Sequence, residues 1–136
     1  MYPAEMVAPY AKDLTDHGFK GLTSAEEVDA TVNVDGTVLV VVNSVCGCAA
    51  ANARPAAKYA AQTGKKPDVL ATVFAGFDVE AVNRARELML PYPPSSPSIA
   101  LFKGGRLVHM IERHQIEGRT AQMIGDDLKE AFEAHC

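Results

Sequence analysis

Two cysteines stand either side of a single glycine in the stretch Val45-Cys46-Gly47-Cys48-Ala49-Ala50, VCGCAA. A thiolate is both a nucleophile and a ligand for soft metals, whereas a buried neutral thiol behaves as a small hydrophobe. The pair therefore admits three readings: apolar packing, metal binding, or exchange of electrons with another sulfur. Its position bears on the choice. The apolar run Thr37 to Asn43 (TVLVVVN) ends just before it, so Cys46 falls where a strand gives way to a helix. Open α/β sheets put their chemistry at the carboxyl ends of strands. Free backbone N–H groups and the positive end of a helix dipole favour a thiolate there, so Cys46 is expected to ionise below the ~8.5 of a free thiol.

Cys48 is the natural resolving partner. On a regular helix, residues two apart point roughly 200° away from each other. A bond between the two sulfurs thus calls for a backbone that is not yet helical, and Gly47 permits that departure. So small a ring is strained and easily reduced, which suits transient oxidation better than permanent stapling. A structural zinc site takes four ligands, usually with C-x₂₋₄-C spacing. Only Cys136 and the histidines at 17, 109, 114 and 135 remain to complete one. A soft-metal carrier built on Cys46, Cys48 and Cys136 stays open as the rival, with no resident metal expected. Cys136, the last residue, is expected to be exposed and fits either a second resolving thiol or an incidental surface thiol.

The elements that must position these thiols follow from pattern. A chain of 136 residues supports one domain, expected over 1–136, which at this size buries roughly two-thirds of its unfolded surface without metal or disulfide. From about Ala4 to His17, Met6, Val7, Tyr10 and Leu14 mark one helical face, with Gly18 placed to end it. Thr23 with Glu26, or Ser24 with Glu27, forms a capping box for a short helix through about Val32. The valine run lacks alternation, as a central strand covered on both faces does. From Cys48 to about Thr63 alanines recur at helical spacing, and Pro55 inside that helix predicts a kink. Val69 to Phe74 reads as a second strand, and Asp78 to Met89 as a helix with Asp78 as its cap. Ile99 to Phe102 and Leu107 to Ile111 form a hairpin across Gly104-Gly105, and a last helix starts near Thr120. The fold class is α/β: a central mixed four-stranded sheet, two parallel strands plus a C-terminal antiparallel hairpin, flanked by helices and preceded by a helical extension.

The formal charge of −4, with no basic cluster, makes nucleic acid an unexpected partner. The longest apolar run, Val38 to Val42, is far too short to span a bilayer. The opening MYPAEMVAPYAKD has neither a basic start nor an apolar stretch before a cleavage site, so a cytoplasmic location is expected. There a close cysteine pair reads as catalytic or metal-binding before it reads as a structural disulfide.

VVNSVCGCAA, ARPAA, VFAGFD, PPSSPSIALFKGG, HMIERHQIEG and the final AHC, in that order, resemble the bacilliredoxins, a family with a Cys-Gly-Cys site. The resemblance runs from the first helix to the last residue. It implies a thioredoxin-like fold and a thiol–disulfide oxidoreductase that removes bacillithiol, a low-molecular-weight thiol, from mixed disulfides on client proteins. Disulfide isomerase activity is implied as well. By that likeness Cys46 is the nucleophile and Cys48 the resolver, bacillithiol is a co-substrate rather than a bound cofactor, and an NADPH-dependent flavoprotein reductase serves the pathway. The likeness also makes Pro97 a cis-proline facing the nucleophile, where an X-Pro bond is otherwise trans by default. It gives Gly47, Ser96 and Pro97 a part in positioning substrate. The chain departs from ordinary thioredoxin in having no tryptophan and no C-x-x-C.

The remaining candidates carry paired readings. Asn43 and Ser44 either orient the nucleophile's loop or simply end the strand. Arg54, over two helical turns beyond Cys46, is expected as a surface or fold-supporting charge. Arg113 and His114 either meet substrate carboxylates, His114 with a proton to shuttle, or form ion pairs with Glu112 or Glu117. An adaptor that kept the fold and lost the chemistry is the third reading.

Overall fold

Strand β2 (Thr37–Asn43) is buried along its whole length because it has a helical layer on each face. In the computed structural model, which describes residues 1–62 and 64–136, Leu39 and Val41 point into one apolar core and Val38, Val40 and Val42 into the other. A strand with two dry faces cannot afford polar alternation, which explains the run of valines. The first core gathers Leu14 of α1 (Ala4–Thr15), the alanines of α3 (Arg54–Ala60), and Ile124, Leu128 and Phe132 of α6 (Ala121–His135). The second gathers Val28 and Val32 of α2 (Ala25–Val32) and Ala81, Val82 and Ala85 of α4 (Val79–Leu88).

β2 pairs in parallel with β3 (Val69–Phe74) and antiparallel with β4 (Ser98–Lys103), which forms a hairpin with β5 (Arg106–Ile111). Gly104 and Gly105 turn that hairpin with φ of 60° and 78°, the left-handed pair that a two-residue connection demands. This is the expected mixed arrangement of four strands. A fifth, β1 (Lys20–Gly21), adds to the free edge of β3, giving the order β1-β3-β2-β4-β5. Two residues are too few to show a period, so the sequence gives no sign of it. The short turn α5 (Arg113–Ile116) after β5 was likewise not expected; Glu112 and Gln115 close a capping box around it.

Two local expectations are corrected. Pro55 does not kink an otherwise regular helix: the first turns from Ala49 to Ala53 are π-helical, with Arg54 N–H bonding Ala49 O, and Pro55 enters at the second position of α3. The wider turn accommodates a ring that would otherwise press on a carbonyl one turn back. Asp78 precedes α4 without capping it; its carboxylate instead accepts Phe74 N–H at 3.1 Å, holding the end of β3. Of the two expected capping boxes the one from Ser24 to Glu27 is used: Ser24 accepts Glu27 N–H at 3.1 Å, and the Glu27 carboxylate accepts from Thr23 and from the Ser24 backbone. Thr63, where the alanine-rich helix was expected to end, lies outside the described residues.

Close approach of α3 and α6 sets the floor under the cysteines. Ala53, Ala56, Ala57 and Ala60 are fully buried there, and Gly125 faces them. A Cβ on Gly125 would overlap the Tyr59 ring and stand 3.4 Å from Ala56 O. Gly125→Val is expected to push α6 off α3 and lower stability by about 1–3 kcal/mol. Urea unfolding measures it, and an unchanged midpoint would show that the interface tolerates the methyls.

Candidate active site

The site is assembled where β2 stops. Asn43, its last residue, is fully buried and triply bonded: Nδ2 donates to Tyr10 O at 3.1 Å, and Oδ1 accepts Ser44 N–H at 2.9 Å and Arg54 Nη1–H at 3.0 Å. Arg54, only 4 % exposed, also donates to Ser44 O at 3.0 Å and through Nε to Asp13 at 3.0 Å. Lys58 joins Asp13 at 2.6 Å, and the Arg54 guanidinium lies 5.0 Å from the centre of the Tyr10 ring. A guanidinium out of water must be paired and hydrogen-bonded, and its planar fork suits several acceptors at fixed angles. Burial would raise the Asp13 carboxyl pKa, but Lys58 and Arg54 more than offset it and hold the pKa below the usual value. Of the two readings of Arg54, the surface charge is therefore overturned. Asn43 and Ser44 end the strand and orient the loop at once.

Ser44 hands the chain to the thiol. Its hydroxyl oxygen accepts Cys46 N–H at 3.2 Å, and Cys46 O accepts Ala49 N–H at 3.1 Å as the helix begins. Gly47 and Cys48 are already helical, with Cys48 at φ −69° and ψ −24°. Cys46 itself stands outside the helix, and this brings the two free thiols into hydrogen-bonding contact. Burial acts to raise the Cys46 pKa. Hydrogen bonds to the sulfur from the Cys48 thiol, the Ser44 hydroxyl and the N–H groups of Ala49 and Cys48 outweigh burial and bring it below that of an ordinary thiol. Cys48 moves the opposite way, raised by burial, by its bond to Cys46 and by the charge there. Of the two, Cys46 is the thiol that loses its proton first.

Beside Cys46 a pocket of about 240 Å³ is walled by Ser44, Ser96, Arg86 and Arg113, with Tyr2 and Gly76 at its other side. The Ser96–Pro97 peptide is cis, as the resemblance implies, and a second cis bond that no sequence pattern signals lies at Leu90–Pro91. Arg113 fastens this loop: its N–H bonds Ser95 Oγ at 3.3 Å, Nη1 bonds Ser96 O at 3.1 Å, and Nε pairs with Glu117. Gly47 is exposed, has an ordinary negative φ, and has open space where a Cβ would stand.

Two candidates lie elsewhere. His114 is 74 % exposed, pairs with Glu112 at 3.0 Å and does not line the pocket. Cys136 sits beyond the far end of α6, whose start is tied to the site by Asn52 donating to Arg119 O. A helix of that length spans about 22 Å, so Cys136 cannot join Cys46 and Cys48 of the same chain as ligand or resolver. Among the described residues, no three His, Cys, Asp or Glu side chains converge to hold a metal.

A family profile described as "Disulphide isomerase" matches residues 2–136. Curated relatives include a bacilliredoxin of Cytophaga hutchinsonii, 54% identical over 98% of both chains. Another, from Salinibacter ruber, is 53% identical over 99% of this chain and 81% of its own length. The chain belongs to the bacilliredoxin family. Among solved structures, mitochondrial thioredoxin 3 of Saccharomyces cerevisiae overlays with a TM-score of 0.60 at 18% identity, covering 90% of this chain and 98% of the other. The thioredoxin-like domain of Arabidopsis NCP gives 0.61 at 17%, covering 88% and 79%. These likenesses show a thioredoxin-like fold, with the bacilliredoxin pair at the strand-to-helix junction.

Arg54 takes the fold-supporting role of the two its sequence position allows, and Arg86 has no signal in the sequence that sets it apart as a residue of the site. Arg54→Ala is expected to leave Asp13 and the carbonyl of Ser44 short of partners and to cost about 3–5 kcal/mol in urea unfolding. A loss within error of zero would show that the clamp does not hold the loop.

Proposed function

We propose that this protein is a thiol–disulfide oxidoreductase that strips bacillithiol from mixed disulfides on client proteins, with Cys46 as nucleophile and Cys48 as resolver. The observation that carries the reading is the unequal pair, Cys46 at a pocket mouth with its pKa lowered and Cys48 in contact with it with its pKa raised. The Cys46 thiolate attacks the bacillithiol sulfur of the mixed disulfide. A new sulfur–sulfur bond forms, the old one breaks, and the client leaves as a thiolate, reduced by two electrons. Cys48 then loses its proton and attacks Cys46, expelling bacillithiol and leaving both protein sulfurs oxidised. Alternatively a second bacillithiol attacks the bound one, freeing Cys46 and forming bacillithiol disulfide. Two bacillithiols return an oxidised pair to the dithiol, and an NADPH-dependent flavoprotein reductase recycles their disulfide.

Gly47, bare and open above, gives the incoming disulfide room, and Ser96, joined to Pro97 by a cis bond, lines the pocket beside Cys46. Isomerisation is the same attack aimed at a disulfide within the client, released by another client thiolate with no net redox change; the matched family description favours it. The working compartment in this proposal is the cytoplasm, where a strained pair is held reduced.

Mass spectrometry after mixing the protein with a bacillithiolated client tests the sequence of steps. A 1:1 adduct on Cys46 is expected, absent in Cys46→Ser and long-lived in Cys48→Ser. A client that keeps its bacillithiol in the wild-type reaction contradicts the proposal.

A further inference from the structure

The pocket beside Cys46 carries two arginines and no carboxylate, although the chain as a whole is acidic at −4. Arg113 is already engaged by Ser96 O and Glu117. Arg86 is not. Its Nε is buried with no hydrogen-bond partner, and burial alone, with no facing carboxylate to offset it, lowers its pKa from the usual arginine value. Other arginines of the chain are answered: Arg84, two residues before it on α4, pairs with Asp29 and Glu87; Arg54 pairs with Asp13; Arg119 pairs with Asp127. A buried donor without an acceptor is costly, and one that borders a pocket is placed to take an acceptor from outside the fold. The Cys46 sulfur does not fill that role, since Cys48, Ser44 and backbone N–H groups hold it.

We propose that Arg86 is a specificity residue that binds a carboxylate of the low-molecular-weight thiol while its sulfur is under attack by Cys46. This rests on the exchange reading above and deepens it. A guanidinium fork takes a carboxylate through two parallel bonds, so it reads charge and orientation together. At about 240 Å³ the pocket has the scale of a small thiol's substituents rather than of a folded client surface. Arg113, fixed on the cis-proline loop, presents a second positive charge on the same walls. The small thiol is thereby selected by its anionic groups, while the client, outside the pocket, is left unspecified.

One client protein is loaded with mercaptosuccinate, a dicarboxylate thiol, or with 2-mercaptoethanol, which has no charge. The ratio of kcat/KM for the two adducts is expected to fall about ten- to a hundredfold in Arg86→Gln, with partial recovery in Arg86→Lys. An equal loss on both adducts would assign Arg86 to the fold or the client, and no loss would remove it from binding; either overturns the proposal. A second readout is independent of exchange: the rate of Cys46 alkylation by iodoacetate relative to iodoacetamide, which is expected to drop in Arg86→Gln. If the wild type reduces neither adduct, the exchange reading falls, and the alkylation ratio still decides whether Arg86 attracts anions.

Discussion

A buried guanidinium holds this site together. Arg54 has lost its water, so its N–H groups must find acceptors inside the protein, and they find Asp13 in α1, Asn43 at the end of β2 and the carbonyl of Ser44. One side chain thus ties the helix before the sheet, the central strand and the helix after it to the single peptide that aims Cys46. With that peptide fixed, the Ser44 hydroxyl, the first N–H groups of the helix and the Cys48 thiol all point at one sulfur. Burial works against ionisation of Cys46, hydrogen bonds converging on its fixed sulfur outweigh that, and the Arg113 charge is also within reach of it.

The π-helical turn belongs to the same device. Proline at position 55 forbids a regular helix just where the chain leaves the cysteines, and the widened turn puts Arg54 at the start of α3 with its side chain folded back beneath Ser44. Alanines facing Gly125 then let α6 close against this helix, so that the cysteine loop rests on a packed floor. The opposite wall comes from the hairpin side of the sheet: Ser96 and Pro97 lead into β4, and Arg113 after β5 holds that loop to the turn α5.

Much of this was legible. The valine run could only be a strand with two dry faces, the alanine spacing a closely packed helix, and Gly104-Gly105 a hairpin, because each pattern has one physical solution. Cys46 and Cys48 announced themselves by position at a strand end. What stayed hidden depends on contacts between distant segments. Arg54 reads as a surface charge or a fold-supporting one, and only Asp13 brought beside it by α1 decides between them, while Arg86 sits in a helix stretch, NRARELM, whose arginines look alike. Only the fold separates Arg84, paired on the surface, from Arg86, unpaired in the pocket. The cis state of Ser96–Pro97 came from family likeness, since composition alone favours trans. His114 and Cys136 looked reactive by type, and the fold sends both away from the pair.

The central claim is that the two sulfurs are unequal before any substrate arrives. Carbon-13 NMR of the Cβ atoms of Cys46 and Cys48 in the reduced protein, followed through a pH titration, reads each thiol directly. The account predicts that Cys46 ionises below an ordinary thiol and Cys48 above it, with the second step felt weakly at the first. Two superimposed titrations at the ordinary thiol value, or the reverse order, would contradict it.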